Sequence, residues 1–185
     1  MAKLKVLIEG YAREMPTGYV ASSTVILIED SGQKIIVDPG INKKLLLEKL
    51  AEEKLSPNDI NMVFLTHYHI DHAFLAALFE KAVVLDGDII YEDDKETNFS
   101  GVIPGTKIKV IMTPGHAHEH ASLLVNTNQG KVAVAGDVFW WDDGEQNLKD
   151  KDLVNYIDPY AQDMKTLKQS RKKLLKLADW VIPGH

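Results

Sequence analysis

Apolar positions near the start of the chain come in short runs: "KVLIEG" (5–10), "STVILIE" (23–29) and "KIIVD" (34–38). Runs of that length predict strands, and Asp30-Ser31-Gly32 predicts a hairpin turn between the second and third. From 42 to 55 the spacing becomes helical, with Leu46, Leu47, Leu50 and Ala51 on one face and Asn42 as the cap. "MVFLT" (62–66) is a continuous apolar run, the pattern of a strand covered on both faces. A short helix is predicted over 72–82. Strands follow at "AVVL", 107–113, 121–127 and 131–137, with "NTNQG" as the turn between the last two. A polar and aromatic loop, "FWWDDGEQNLKDKD", leads to an amphipathic helix over 161–178, and "DWVIPGH" supplies a last short strand. Strands and helices alternating, with hairpins among them, predict a layered α/β domain spanning 1–185, with no linker or repeat.

Composition narrows this picture. The 185 residues are 45% apolar and 26% charged, which is globular rather than disordered. No apolar run is long enough to span a bilayer, so no membrane partner is expected. "MAKLKVLIEG" has no apolar signal-peptide core, so the expected location is cytoplasmic. There is no cysteine, which excludes disulfides and thiolate ligands. The formal charge is −6 and the only arginines are Arg13 and Arg171, so nucleic acid is not a favoured partner. Lysines concentrated over 165–176 read as a solvated helix face. A small-molecule substrate is expected, and no oligomeric state is read from the chain.

The histidines carry the chemistry. In "FLTHYHIDHAFL" (64–75), His67, His69, Asp71 and His72 fall within six residues. Alternate residues of an extended segment face one side, so His67 and His69 can reach one ion together while Tyr68 faces away. The next turn swings Asp71 and His72 to another side, where they can serve a second ion. Imidazole nitrogen and carboxylate oxygen are the ligands zinc takes when thiolates are missing, at about 2.0–2.2 Å. Three further strands end at Pro-Gly or Gly and hand over a ligand-type residue: "TPGH" gives His116, "AVAGD" gives Asp137 and "VIPGH" gives His185. Strand ends gathered at one sheet edge are where α/β folds build sites.

His67-x-His69-x-Asp71-His72, followed in order by His116, Asp137 and His185, resembles the metallo-β-lactamase superfamily, and "IIVDPG" (35–40) resembles its early Asp-containing turn. The resemblance implies a four-layer αββα sandwich of two mixed sheets flanked by helices, with metals at one edge of the sheets. It implies that His67, His69 and His116 hold a first metal, that Asp71, His72 and His185 hold a second, and that Asp137 bridges them. The cofactors expected are two divalent ions, zinc first, with manganese or iron as alternatives. Two metals about 3.5–4 Å apart share a hydroxide, lower the pKa of its parent water and clamp the oxygens of the attacked group. Asp38 matches a position that supports a ligand histidine in the family; as a bare sequence feature it is a turn aspartate before Pro39, and both roles stay open. His120 matches a position that is often histidine in relatives without being a ligand, whereas His118 reads as a surface residue. Trp140 and Trp141, three and four residues past Asp137, either wall a substrate pocket or pack their loop. Tyr11, Met15 and Tyr19, in an early loop expected over 11–22, are weaker pocket candidates.

Departures from the family pattern sort the functions. Relatives often follow the first motif with Gly-Gly, but here it reads "DHAFLAAL". With no extension beyond His185, this weakens a likeness to the glyoxalase II thioesterases. A common β-lactamase carries cysteine where Asp137 stands, so that activity is excluded. The leading expectation is a dinuclear hydrolase in which a metal-bridging hydroxide attacks a small ester, thioester, lactone or phosphodiester, with Asp71 steering a proton. One alternative is a mononuclear iron oxygenase of the persulfide dioxygenase type, since these ligands suit iron as well as zinc. Another is an RNA endonuclease, because "TPGHAHEHASLLVNTNQGKVAVAGDVF" is similar to small animal members linked to histone pre-mRNA cleavage. A non-catalytic metal-binding module is the least favoured.

Overall fold

Ser31 and Gly32 both take left-handed backbone angles, φ 53° and 86°, and Asp30 pairs directly with Gln33 across them. That is the two-residue hairpin expected from "DSG", whose twist matches that of its strands. In this computed structural model, which describes residues 1–146 and 150–185, the hairpin lies in the larger of two mixed sheets.

The strands are β1 (Lys3–Ile8), β2 (Tyr11–Met15), β3 (Gly18–Ser22), β4 (Val25–Asp30), β5 (Gln33–Val37), β6 (Met62–Phe64) and β7 (Val83–Leu85). They continue with β8 (Ile89–Glu92), β9 (Lys95–Asn98), β10 (Lys109–Met112), β11 (Ala121–Thr127), β12 (Gly130–Gly136) and β13 (Trp180–Pro183). The helices are α1 (Lys43–Glu52), α2 (Ile70–Ala73), α3 (Asp150–Asn155) and α4 (Met164–Leu177). One sheet has the order β1-β4-β5-β6-β7-β8-β9 and the other β10-β11-β12-β13, while β2 and β3 pair with each other. β5, β6 and β7 run parallel, as do β12 and β13.

Alternation along β4 shows how the layers form. Val25 and Leu27 pack toward α1 with Leu46 and Leu50, whereas Ile26 and Ile28 pack toward the second sheet with Leu123, Val125 and Val134. On the far side, Leu167 and Leu174 of α4 cover Leu124, Ala133 and Ala135. Helix, sheet, sheet and helix therefore stack in four layers, the sandwich that the resemblance implied. Among the described residues no helix is long and apolar enough to cross a membrane.

Four expectations need correction. The helix expected over 72–82 shrinks to α2 and a single 3-10 turn at Ala76–Leu78, because Leu75 N turns aside to bond Gly40 O at 3.1 Å. Residues 11–22, expected as a loop, form the β2–β3 hairpin, and the 89–98 hairpin had no sequence expectation. The loop expected after β12 contains α3, while its residues 147–149 lie outside the described residues. The last helix starts later than expected, at Met164, because the Asp163 carboxylate accepts from Lys165 N and Thr166 N and caps it there.

Leu50, fully buried between α1 and the larger sheet, tests the layering. Leu50→Ala is expected to cost about 2–5 kcal/mol. Urea unfolding should show the midpoint falling at an unchanged slope.

Candidate metal centre

The C-terminal ends of β5, β6, β10, β12 and β13 meet at one edge of the sandwich. Each hands its next residues to the same small volume: Asp38 after β5, His67 to His72 after β6, His116 after β10, Asp137 after β12 and His185 after β13. The glycines at two of these ends are required by space. Gly136 has φ 54°, and a Cβ there would sit 2.7 Å from both His120 Nε2 and Thr66 Oγ1. A Cβ on Gly184 would lie 1.9 Å from Asp137 Oδ1.

The seven side chains form two sets. His67, His69, His116 and Asp137 bring their donor atoms together in one, and Asp71, His72 and His185 in the other. Asp137 faces both. Its Oδ2 lies 3.4 Å from His116 Nε2 and 3.9 Å from His67 Nε2, and its Oδ1 lies 3.2 Å from His72 Nε2 and 3.7 Å from His185 Nε2. Within the first set, His69 Nδ1 and His116 Nε2 are 3.0 Å apart. Within the second, His72 Nε2 and His185 Nε2 are 3.2 Å apart, and Asp71 Oδ2 is 3.2 Å from His185 Nε2.

Outer partners fix the rings. Asp38, buried with φ 47°, accepts from His72 Nδ1 at 2.9 Å and from the Thr66 hydroxyl at 2.7 Å. Because that hydroxyl donates to Asp38, its oxygen accepts from His67 Nδ1 at 3.0 Å. One carboxylate thus orients an imidazole of each set, which favours the supporting role over that of a plain turn residue. His116 Nδ1 donates to Asp158 Oδ2 at 2.7 Å, and His185 Nδ1 donates to Tyr11 O at 3.2 Å. With their Nδ1 protons held outward, these four rings turn Nε2 toward the centre.

Asp158 and Thr66 were not singled out from the sequence. Asp158 did carry a signal, since Asp158-Pro159 repeats the Asp38-Pro39 pairing, with an apolar residue before each.

These donors fit metal ions. Bare nitrogen and oxygen acceptors facing one another at such distances are unfavourable unless a proton or cation lies among them. Buried His67 Nε2 and Asp137 Oδ1 have no hydrogen-bond partner among the described residues; His72 Nε2, though close to Asp137 Oδ1, is poorly aligned for one. An all-imidazole and carboxylate set suits zinc, manganese or iron.

Electrostatics follow burial and neighbours. Burial, then the positive neighbour His72, holds His67 well below its ordinary range, and burial with His116 lowers His69, so both favour the neutral form a metal needs. Burial also pushes His72 down, but the Asp137 and Asp38 carboxylates outweigh it and hold the imidazole well above its ordinary value. For Asp137, burial pushes upward, while His72, His185 and His67 draw its carboxyl well below the carboxylate range. Asp71 follows the same pattern: burial raises it, and His185 and His72 bring it below its ordinary value.

The remaining sequence candidates divide. His120 is buried and stacks on His67 with centroids 5.0 Å apart, its Nδ1 lying 3.0 Å from Thr113 Oγ1; burial pushes it down to about 3. His118 is exposed. A cavity of about 380 Å³ opens beside Asp71, His116 and Asp137, and its wall includes Trp140 and Tyr19. Trp141 instead packs with Phe139 and Tyr156, away from the cavity. Met15 and the Tyr11 side chain do not line it. Ile41, Ile70 and Tyr160 do, and the sequence reading had not named them.

With that geometry in view, the metallo-beta-lactamase superfamily model matches residues 18–105. Metallo-beta-lactamase domain-containing protein 1 of Xenopus laevis is 31% identical over 191 residues, covering 97% of this chain and 78% of its own. A probable metallo-hydrolase of Methanocaldococcus jannaschii is 32% identical over 160 residues, covering 82% of this chain and 70% of its own. Among solved structures, a candidate metallo-beta-lactamase from Thermotoga maritima has a TM-score of 0.73 at 27% identity, over 100% of this chain and 96% of its own. AidC, a dizinc quorum-quenching lactonase, shares the fold alone, with a TM-score of 0.59 at 17% identity over 86% of this chain and 69% of its own. The chain belongs to the metallo-beta-lactamase superfamily of metallo-hydrolases.

Asp158 gives a direct test of the outer partners. Asp158→Ala should weaken zinc binding about 10- to 100-fold, read by competition with a chelator, while circular dichroism stays that of the parent.

Proposed function

We propose that the chain is a dinuclear metal-dependent hydrolase acting on a small ester, thioester, lactone or phosphodiester, with zinc as the first-choice metal. The observation that carries this reading is Asp137, one carboxylate oxygen turned toward each set of imidazoles. His67, His69 and His116 would hold one ion, Asp71, His72 and His185 the other, and Asp137 would span both. When bound, such a pair supplies Lewis-acid polarisation of the attacked group and a nucleophilic water at neutral pH.

The protein's own contribution is placement and proton handling. Asp38, Thr66 and Asp158 hold the rings from behind, so that little reorganisation is left for the reaction. Asp71 borders the cavity, and its neighbours His185 and His72 favour its ionised form. In this reading Asp71 would steer a proton between the attacking water and the leaving group. His120, neutral and buried, supports His67 by stacking and has no proton to offer at neutral pH.

Elemental analysis of protein purified without added metal or chelator is expected to give two zinc or manganese equivalents per chain. Asp137→Ala should lose metal and reduce hydrolysis to background; unchanged turnover would overturn the dinuclear reading. A single iron equivalent with persulfide-dependent oxygen uptake would put the oxygenase in its place.

The histidine electrostatics make a separate prediction. In metal-free protein His72 keeps its proton at neutral pH, because its value is raised, and an ion must displace that proton. Zinc titration calorimetry in buffers of different ionisation enthalpy should therefore show proton release near neutral pH, declining as pH rises past the elevated value of His72.

A further inference from the structure

We infer that the cavity beside the cluster selects an uncharged carboxylic ester or lactone with an apolar acyl group, a substrate class that rests on the hydrolase reading above. Its size, about 380 Å³, is that of a small-ligand site. Tyr19 from β3, Ile41 before α1, Ile70 of α2, and Trp140 and Tyr160 after β12 converge on it from four separate parts of the chain. Ile41, Ile70 and Tyr160 keep 38%, 62% and 59% of their surface exposed at its mouth. Large apolar groups left facing water beside a reactive cluster are covered favourably by an apolar substrate group.

Charge points the same way. Among the described residues, neither lysine nor arginine lines the cavity. Arg13 is paired with Asp143 at 3.1 Å, and Arg171 is buried with its Nε on Val138 O. The α4 lysines Lys165, Lys172, Lys173 and Lys176 are exposed, while the helix buries Leu167, Ser170, Arg171 and Leu174. At the rim, the Tyr19 hydroxyl donates to the carboxylate of Asp142. A phosphodiester chain, or a thioester on an anionic carrier, brings charges beyond the reacting centre that need cations to receive them. Among the described residues this wall offers none. A neutral ester needs only apolar cover next to its carbonyl.

The reaction balances with water alone. The water oxygen bonds to the acyl carbon, the acyl–alkoxy C–O bond breaks, and the alkoxide leaves as alcohol after taking a proton. The acid departs as carboxylate, its proton passing to solvent, and a lactone opens by the same exchange into one hydroxy-carboxylate.

The test uses zinc-loaded protein with p-nitrophenyl acetate, butyrate and hexanoate, and with bis(p-nitrophenyl) phosphate. Tryptophan fluorescence separately reads binding of acetate and hexanoate, since Trp140 lines the cavity. Burying each added methylene predicts a rise of about three- to fourfold in kcat/KM and hexanoate binding well above acetate. Ile41→Ser with Ile70→Ser, both at exposed positions, should flatten both trends. Ester turnover independent of chain length, or a higher kcat/KM on the phosphodiester, overturns the inference and leaves the hydrolase standing. No turnover of any of these compounds, with hexanoate binding intact in the parent and weakened in the variant, would overturn the hydrolase and keep the apolar site.

Discussion

A buried carboxylate that is ionised must be surrounded by positive or proton-donating groups, and Asp137 is such a carboxylate. Its position sets conditions on everything near it. Imidazoles have to approach from two sides, so two groups of histidines come from separate strand ends. Backbone has to pass close by without side chains, so glycine stands at Gly136 and Gly184. The histidines need partners of their own, and Asp38 and Asp158 provide them from two more segments. The convergence of five strand ends follows from the needs of one side chain.

The loop between β12 and α4 carries Trp140, Asp158 and Tyr160, and Arg171 ties both of its ends to α4. Arg171 is fully buried in α4, with Nε donating to Val138 O at 2.8 Å and Nη1 to Tyr156 O. Its guanidinium also lies 5.9 Å from the Phe139 ring and 5.5 Å from that of Tyr156. Burial lowers its pKa, opposed by the nearby Asp158 and Tyr156. A planar fork serves two carbonyls and lies near two rings in one fixed geometry, whereas an ammonium is a point charge with rotating donors. In the sequence this arginine sits in a lysine-rich stretch and looks like one more solvated cation; only the helical register shows that it faces inward.

The layers were legible because apolar runs and helical spacing report burial directly, as β4, α1 and α4 show. The hairpin of residues 11–22 was not. Its alternation is interrupted by Arg13, Glu14, Met15 and Tyr19, which are exposed because the turn end of this ribbon meets solvent on both faces. The cut in the 72–82 helix was hidden for another reason: local spacing favours a helix, but a long-range bond from Leu75 to Gly40 ends it. At the centre, the donor-rich motifs were visible because each follows an apolar strand, and His116, Asp137 and His185 do so at a glycine. Ile41, Ile70 and Tyr160 were not, since an apolar side chain beside a site looks in sequence like any other until distant segments are brought together.

The two donor sets also differ in an important way from a cluster on a single element. Each draws residues from both sheets: His67 and His69 follow β6 while His116 and Asp137 follow strands of the smaller sheet, and Asp71 and His72 face His185 across the same seam. An ion held by either set is therefore a cross-link between halves of the sandwich that are far apart along the chain. Because it binds the folded arrangement and not the open chain, its free concentration enters the unfolding equilibrium directly. In a chain without cysteine, the fastening a disulfide would give permanently would here be reversible, with its strength set by the surrounding metal supply.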